Sequence, residues 1–210
     1  MNVRVIKLGG SLLDLAGLAA RFDAWLAVQP CLSNVVLVGG GDMADVVRRA
    51  FVRHRLSEED AHWLCIRILG VTAELAVCLL PKAVLVRRFE DLAAQRRELA
   101  VFDCEAFLRE TDARSADPLP HSWDVTSDSI AARLARRLRA AELVLLKSAL
   151  PGPARSTAEA AAAGYVDVHF PSAAAGLPVR CVNLRGEGWP EACLGHGDRL
   201  PDARSDAPSP

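Results

Sequence analysis

The sequence lacks the features that mark several classes of protein. Its net charge is −1, which gives no electrostatic reason to expect nucleic acid or an anionic membrane as the main partner. No apolar run reaches the roughly 18 residues of a membrane span. The first residues show no basic segment followed by an apolar one, as a signal peptide would. We therefore expect a cytoplasmic protein that acts on neither nucleic acid nor membrane.

Paired cysteines are also missing. The six cysteines lie far apart with no C-x-x-C pair, and the five histidines show no metal-ligand spacing. Several cysteines lie inside apolar runs, as in HWLCIRIL and ELAVCLLP. These patterns predict buried free thiols in a reducing cytoplasm and no metal site made by the protein itself.

Lysine is scarce. Of the 25 basic residues, 22 are arginines and only three are lysines, namely Lys7, Lys82 and Lys147. Arginine is a wide planar fork, whereas lysine is a compact point charge. Lys7 and Lys147 both follow apolar, strand-like runs. Their retention could be chance, or it could indicate a tight anionic site with no room for a guanidinium group.

The hydrophobic pattern predicts apolar strands that alternate with helices. Strands are expected at residues 3–8, 35–38, 83–86, around 101–102, 143–146 and 179–184; helices are expected at 12–28, 42–56, 57–80, 127–142 and 157–163. This order indicates an α/β fold, a three-layer α/β/α sandwich with a mostly parallel central sheet. Residues 1–194 are expected to form one domain, followed by a disordered tail at 195–210.

Two glycine loops follow predicted strands, as GGS after the first and GGGD after the second. Glycine loops ahead of helices expose N–H groups that suit phosphate, and ligands of parallel sheets bind at the carboxyl ends of the strands. Neither loop matches a P-loop or a dinucleotide fingerprint. Each alone could simply let a helix pack closely, but two loops and two lysines at one edge favour phosphoryl transfer.

Three motifs resemble those of one superfamily. VIKLGGSLL at 5–13, VLVGGGDMAD at 36–45 and WDVTSDSIAARLA at 123–135 are similar, in order, to motifs of the amino acid kinases, which include acetylglutamate, aspartate, glutamate, uridylate and carbamate kinases. The short length, HWLCIRI at 62–68 and the SDS helix most resemble the aminomethylfuran phosphate kinases of methanofuran synthesis and related proteins of methylotrophs. The resemblance implies the amino acid kinase fold, ATP with Mg²⁺, and a homo-oligomer.

The resemblance also implies roles for individual residues. Lys7 would neutralise the transferred phosphoryl group, and Asp128 would orient the lysines rather than act as a base. The donor nucleotide would be held by Gly9, Gly10, Ser11, Lys147 and Ser148. The acceptor would be held by Gly39, Gly40, Gly41, His121, Trp123 and Ser127.

One departure from the superfamily concerns the second catalytic lysine. Many members place it late in the chain, whereas no lysine follows Lys147 here. Either Lys147 takes that role, or it binds nucleotide from the strand end, and Arg155 is a further candidate.

The favoured interpretation is an ATP-dependent kinase that acts on a small anionic acceptor. An aminomethylfuran phosphate is the best specific candidate, and its product would be a diphosphate used to build a C1-carrier cofactor. One alternative is a carboxylate kinase that forms an acyl phosphate. Another is a nucleotide-binding storage or regulatory protein without kinase activity.

Overall fold

The computed structural model describes residues 3–94 and 99–195. The strands are β1 (Val3–Leu8), β2 (Ser33–Val38), β3 (Val84–Val86), β4 (Leu99–Phe102), β5 (Glu142–Lys147), β6 (Val179–Asn183) and β7 (Glu191–Leu194). The helices are α1 (Leu18–Ala27), α2 (Gly41–His54), α3 (Glu58–Leu79), α4 (Phe89–Ala94), α5 (Ser127–Leu138), α6 (Thr157–Ala162) and α7 (Phe170–Ala173).

Within these ranges the strands form one seven-stranded sheet in the order β3-β4-β2-β1-β5-β6-β7. Neighbours pair in parallel except β6 and β7, which are antiparallel. Side chains alternate between two cores: Val5 and Leu37 face one, and Ile6 and Val36 face the other. Helices cover both faces, so the predicted three-layer α/β sandwich is confirmed.

The predicted helix over residues 12–28 is wrong in its first half. Residues Gly10–Leu12 form a short 3-10 turn, and α1 begins only at Leu18. Gly17, directly before α1, has φ +73°, a left-handed conformation that interrupts a continuous helix. The strand β7, the short helices α4 and α7, and a π-helical segment at Phe107–Asp112 are further elements that the pattern does not predict.

Helix α3 combines a core role with a membrane-like composition. Judged by length and composition alone, it could cross a membrane, although the apolar runs of the sequence predict no membrane span. Three acidic residues occupy its first turn, where Ser57 caps the helix by accepting a hydrogen bond from the Asp60 N–H. Its buried face contributes Ile66 and Leu69 to one core and Ala73 to the other. We therefore describe it as a core helix of the sandwich.

The cysteine prediction is confirmed in part. All six thiols are free; Cys104 and Cys181 are buried, but Cys78, expected inside, is exposed.

The predicted tail begins at Gly195. The Gly195 N–H donates a hydrogen bond to the carbonyl of Arg155 at 2.7 Å, so this first residue of the tail is bonded to the domain. The remainder of the predicted tail, 196–210, lies outside the described residues.

Candidate active site

Three charged side chains meet at the carboxyl edge of the sheet. Lys7 lies near the end of β1, Lys147 ends β5, and Asp128 lies in the first turn of α5. Lys7 Nζ is 2.9 Å from Asp128 Oδ1, and Lys147 Nζ is 2.8 Å from Asp128 Oδ2. Each carboxylate oxygen thus pairs with one lysine. The structure brings together the residues predicted to be catalytic, and we call Lys7, Asp128 and Lys147 the charged triad.

The register of two neighbouring strands explains this meeting. Lys7 on β1 pairs with Leu145 on β5, so Lys147, two residues further along, projects from the same face of the sheet. Helix α5 covers that face and presents Asp128 from its first turn. Thr126 caps the helix, and its Oγ1 accepts a hydrogen bond from the Asp128 N–H at 3.3 Å. The strand register and the helix start therefore determine the geometry of the triad.

The triad is almost wholly buried. Asp128 is 5% exposed, and the side chains of Lys7 and Lys147 are 8% and 15% exposed. Burial opposes ionisation of Asp128, but the two ammonium groups outweigh it and hold the carboxyl pKa below its usual range. Burial also lowers the pKa of Lys147, helped by the charge of Lys7 and opposed by Asp128. With both lysines protonated the triad carries one excess positive charge, which suits a phosphoryl group.

Tyr165 adds two further contacts to Lys147. The backbone carbonyl of Tyr165 accepts a hydrogen bond from Lys147 Nζ, and the centre of its ring lies 4.4 Å from the same nitrogen. The Tyr165 hydroxyl donates to the carbonyl of Ala149 at 3.2 Å. These contacts give the ammonium group of Lys147 a defined position.

The two glycine loops pack against each other, backbone to backbone. A Cβ on Gly10 would lie 2.1 Å from the nitrogen of Gly41. A Cβ on Gly39 would lie 2.9 Å from the nitrogen of Gly10, 3.1 Å from Ser127 Oγ and 3.4 Å from Lys7 Cε. Any larger residue would push the loops apart or displace Lys7.

Some N–H groups of these loops are already engaged. The Gly9 N–H donates to Leu146 O at 2.8 Å, and the Gly39 N–H donates to Leu8 O at 2.8 Å. Helix α2 starts at Gly41, and N–H groups in a first helical turn have no partner within their helix. Phosphate binding by N–H groups is therefore better suited to Gly10 and the start of α2 than to Gly9.

A cavity of about 320 Å³ adjoins the triad, in the size range of small-molecule sites. Lys7, Gly10, Ser11, Gly39, Gly40, Gly41, Trp123 and Ser127 line it, among the predicted site residues. Arg48 and Trp123 form one wall, with the guanidinium carbon 5.1 Å from the ring centre. Ile66 and Leu69 add apolar surface, and three carboxylates also reach the lining, those of Asp42, Asp45 and Glu58.

The chain is similar in sequence to a known kinase. A relative from Methanocaldococcus jannaschii, [5-(aminomethyl)furan-3-yl]methyl phosphate kinase, is 24% identical over 143 residues, which are 68% of this chain and 64% of that protein. The match thus spans less than two thirds of the relative's length. No protein-family model matches the chain.

Solved structures of kinases share its architecture. Uridylate kinase from Archaeoglobus fulgidus superposes with a TM-score of 0.58 at 17% identity, covering 93% of this chain and 92% of that one. Aspartate kinase from Synechocystis gives 0.62 at 16% identity, covering 94% of this chain and 40% of that one. The chain has the amino acid kinase fold. The resemblance of its three motifs to that superfamily is thereby supported, and the relative and these structural neighbours are all phosphotransferases.

The side-chain rings of His62, Trp63 and His121 form a cluster next to the cavity. His62 lines the cavity and stacks on His121, with 4.7 Å between ring centres. His121 Nδ1 is 2.7 Å from Glu59 Oε2, and Glu59 Oε1 accepts a hydrogen bond from Trp63 Nε1 at 2.6 Å. Burial, together with His121, lowers the pKa of His62 to about 4, so His62 is neutral at pH 7. The predicted substrate residue His121 therefore supports His62 rather than lining the cavity itself.

Two residues predicted for the donor nucleotide, Ser11 and Ser148, are in contact with each other. Ser11 Oγ is 2.8 Å from Ser148 Oγ, and Arg185 Nε donates to Ser148 Oγ at 3.2 Å. The Arg185 guanidinium also donates to the carbonyl of Ser11 at 2.7 Å. Arg155 is not part of this group, because its guanidinium donates to the nearby carbonyls of Gly152 and Ala154.

Several residues of the site escape sequence reasoning. Arg48 is one of 22 arginines and stands in no motif, so only its position against Trp123 distinguishes it. Tyr165 and Arg185 act through a backbone carbonyl and a loop contact, which leave no pattern in the sequence. His62 is visible in the HWLCIRI segment, where packing and substrate contact are equally compatible with the sequence.

Proposed function

We propose that this chain is an ATP-dependent kinase that transfers the γ-phosphoryl group to a small anionic acceptor. The charged triad, buried where two glycine loops meet beside a cavity, is the observation that carries the proposal. Phosphoryl transfer needs donor and acceptor held in line and the charge of the transferred group neutralised. A preorganised pair of ammonium groups meets the second need without reorganisation during the reaction.

Each part of the site then has a task. Lys7 and Lys147 would stabilise charge on the transferred group, and Asp128 would hold both ammonium groups in place as an acceptor of their hydrogen bonds. Ser11, Ser148 and Arg185 lie together on the side assigned to ATP. This assignment makes Lys147 the second lysine of the site.

The residues present fit ATP, because Gly9 puts backbone without a side chain beside Lys147, where a Cβ would lie 3.9 Å from the Lys147 Cγ, and because the triad supplies the counter-charge. Among residues 3–94 and 99–195, no group of three or more His, Cys, Asp or Glu side chains is placed to hold a metal ion. Mg²⁺ would accordingly enter with the nucleotide phosphates, a mode that needs few protein ligands, and would neutralise phosphate charge.

For the acceptor we propose an aminomethylfuran phosphate, the compound class in the name of the M. jannaschii relative. Such a molecule carries a phosphate, an aromatic ring and an ammonium group. The cavity offers Lys7 and Arg48 for the phosphate, Trp123 and His62 for the ring, and carboxylates such as Glu58 for the ammonium group. The product would be a diphosphate. We further propose that the protein works in the cytoplasm as a homo-oligomer.

The proposal is tested by phosphorus NMR of the purified protein with Mg·ATP and aminomethylfuran phosphate. Glutamate, aspartate and uridylate serve as parallel acceptors. We expect a new diphosphate resonance that grows as ADP appears. Turnover with glutamate or aspartate alone would instead identify a carboxylate kinase, and ATP binding without turnover on any acceptor would favour a storage or regulatory protein.

The matched variants are Lys7→Ala and Lys82→Ala. Lys82 is a lysine of the same chain, but its side chain is 75% exposed and pairs with Asp23. Loss of turnover in the first variant, with retention in the second, would tie the reaction to the charged triad.

A further inference from the structure

We propose that Asp167, in the segment between α6 and α7, is a positioning residue that sets the start of α5 and thereby the place of Asp128 in the charged triad. The inference rests on the proposed kinase function for its catalytic consequence. Asp167 belongs to none of the motifs that resemble the superfamily, and its neighbours in the sequence, Val166 and Val168, give no hint of a role at the site.

Both carboxylate oxygens of Asp167 are committed to the start of α5. Oδ2 accepts hydrogen bonds from the Thr126 N–H at 2.9 Å, the Thr126 hydroxyl at 2.7 Å and the Ser129 N–H at 3.1 Å. Oδ1 accepts a hydrogen bond from the Ser129 hydroxyl at 2.5 Å. The bonded residues lie on either side of Asp128 in the chain, so the carboxylate clamps the backbone that carries it.

The clamp also organises the helix cap. Thr126 donates its hydroxyl hydrogen to Asp167, which leaves a lone pair of Oγ1 to accept from the Asp128 N–H. Ser129 is fully buried, so its N–H and hydroxyl would be costly to leave unpaired. A negative charge at the start of a helix is favourable in addition because of the helix dipole. Asp167 therefore fixes the direction in which α5 presents Asp128.

The same short segment also contacts Lys147, the second lysine of the proposed site. Two residues before Asp167, the Tyr165 carbonyl accepts a hydrogen bond from Lys147 Nζ. Residues 165–167 thus contact both Lys147 and the helix start that presents Asp128. Displacing this segment would shift Lys147 and Asp128 together, and shifts of about 1 Å in such groups cost about a hundredfold in rate.

Substitution by asparagine separates positioning from reaction. In Asp167→Asn, the new amide oxygen could accept the bonds now made to Oδ2, and the new NH₂ group could donate to Ser129 Oγ, which can also act as an acceptor. Asp167→Asn is therefore expected to keep the geometry. A carboxylate that took a proton or held a metal ion would lose its role in the same variant as completely as in Asp167→Ala.

The experiment compares Asp167→Ala, Asp167→Asn and a control, Asp124→Ala, whose wild-type residue is exposed. Steady-state kinetics with Mg·ATP and aminomethylfuran phosphate give kcat and KM. We expect kcat of Asp167→Ala to fall by about tenfold to a hundredfold with KM for the acceptor changed less than about threefold. Asp167→Asn and Asp124→Ala should stay within about threefold of wild type. Full kcat in Asp167→Ala, or an equal loss in Asp167→Asn, would overturn the proposal.

A second readout does not need turnover. Carbon-13 NMR titration of the Asp128 carboxyl reports its pKa, which the two lysines hold down in the wild type. In Asp167→Ala this pKa should rise towards its ordinary value, and in Asp167→Asn it should not rise, because the lost negative charge can only lower it. If the wild type shows no turnover, the kinase proposal fails while this titration still tests the positioning.

Folding failure of Asp167→Ala is covered by Ser129→Ala, which removes a single hydrogen bond to Asp167. We expect this variant to shift the Asp128 pKa in the same direction by a smaller amount. No shift in Ser129→Ala, where Asp167→Ala does not fold, would overturn the proposal.

Discussion

Replacement of Lys7 by arginine isolates the shape of a cation from its charge. The Lys7 side chain is 8% exposed, and its Nζ lies 2.9 Å from Asp128 Oδ1. Its Cε lies 3.4 Å from the point where a Cβ on Gly39 would lie, so the Lys7 side chain packs closely against the second glycine loop. Arginine keeps the positive charge but adds a wide planar group that this space does not accommodate.

The expected loss follows from these contacts. Removing one preorganised charge contact from a transition state costs about 3 kcal/mol, which is roughly a hundredfold or more in rate. Lys7→Arg retains the charge but displaces it, and a displacement of about 1 Å costs about as much. We therefore expect kcat to fall about a hundredfold in Lys7→Arg, and at least as far in Lys7→Ala. Overpacking should also lower the free energy of unfolding by about 1–3 kcal/mol.

The assay follows ADP formation at saturating acceptor, with Lys82→Arg as the matched control. Lys82 lies at an exposed ion pair with Asp23, 2.9 Å away, and its replacement should leave kcat within about twofold of wild type. Wild-type kcat in Lys7→Arg would refute the argument that this site requires a compact ammonium group. Wild-type kcat in Lys7→Ala would refute the role of Lys7 altogether.

Three other predictions address protonation and packing. Burial lowers the pKa of Lys147 below 10.5, so kcat should decline on the alkaline side with a midpoint below pH 10.5. A decline with the same midpoint in Lys147→Arg would show that another group is responsible. The pKa of His62 is about 4 in the folded state and 6.5 unfolded, so the unfolded chain binds more protons between these values and stability rises with pH across them, by up to about 3 kcal/mol. Thermal unfolding of His62→Leu should lose this gain, and an unchanged pH profile would contradict the assignment. Gly10→Ala should lower the free energy of unfolding by about 3 kcal/mol, because the new Cβ would lie 2.1 Å from the backbone nitrogen of Gly41. Gly152→Ala is the control for backbone strain, since Gly152 has a positive φ but open space around it. Equal losses of stability in the two variants would argue against the clash at Gly10.

The fold could be predicted because its signals are local. Apolar strands such as β1 and β5, which the structure confirms, each depend on a few neighbouring residues. The errors occur where local signals are weak. Gly17 breaks the expected first helix through its own conformation, and β7 is partly exposed and pairs only at the sheet edge, so its sequence shows no apolar run.

The candidate site could be predicted only as far as its motifs extend. Lys7, the glycines and Asp128 lie in short stretches whose chemistry is visible in the sequence, and Lys147 stands out because lysine is rare. Arg48 and Asp167 are different, since an arginine among 22 and an aspartate in an apolar run acquire meaning only from distant contacts. Such residues join the site through tertiary structure, across 75 residues of chain between Arg48 and Trp123 and 41 between Thr126 and Asp167.

The charge balance of the triad supports the proposal that Lys147 is the second lysine of the site. Lys7 and Lys147 on adjacent strands already share one carboxylate, which leaves one excess positive charge in a buried site. A third ammonium group there would add like-charge repulsion and another desolvation cost, and the pKa of Lys147 already lies below its ordinary value. The segment after α6 instead supplies acceptors, the Tyr165 carbonyl for Lys147 and the Asp167 carboxylate for the helix that carries Asp128. If the proposed role of Lys147 holds, the second cation of the site lies on β5, and residues 165–167 support the groups that carry the charge.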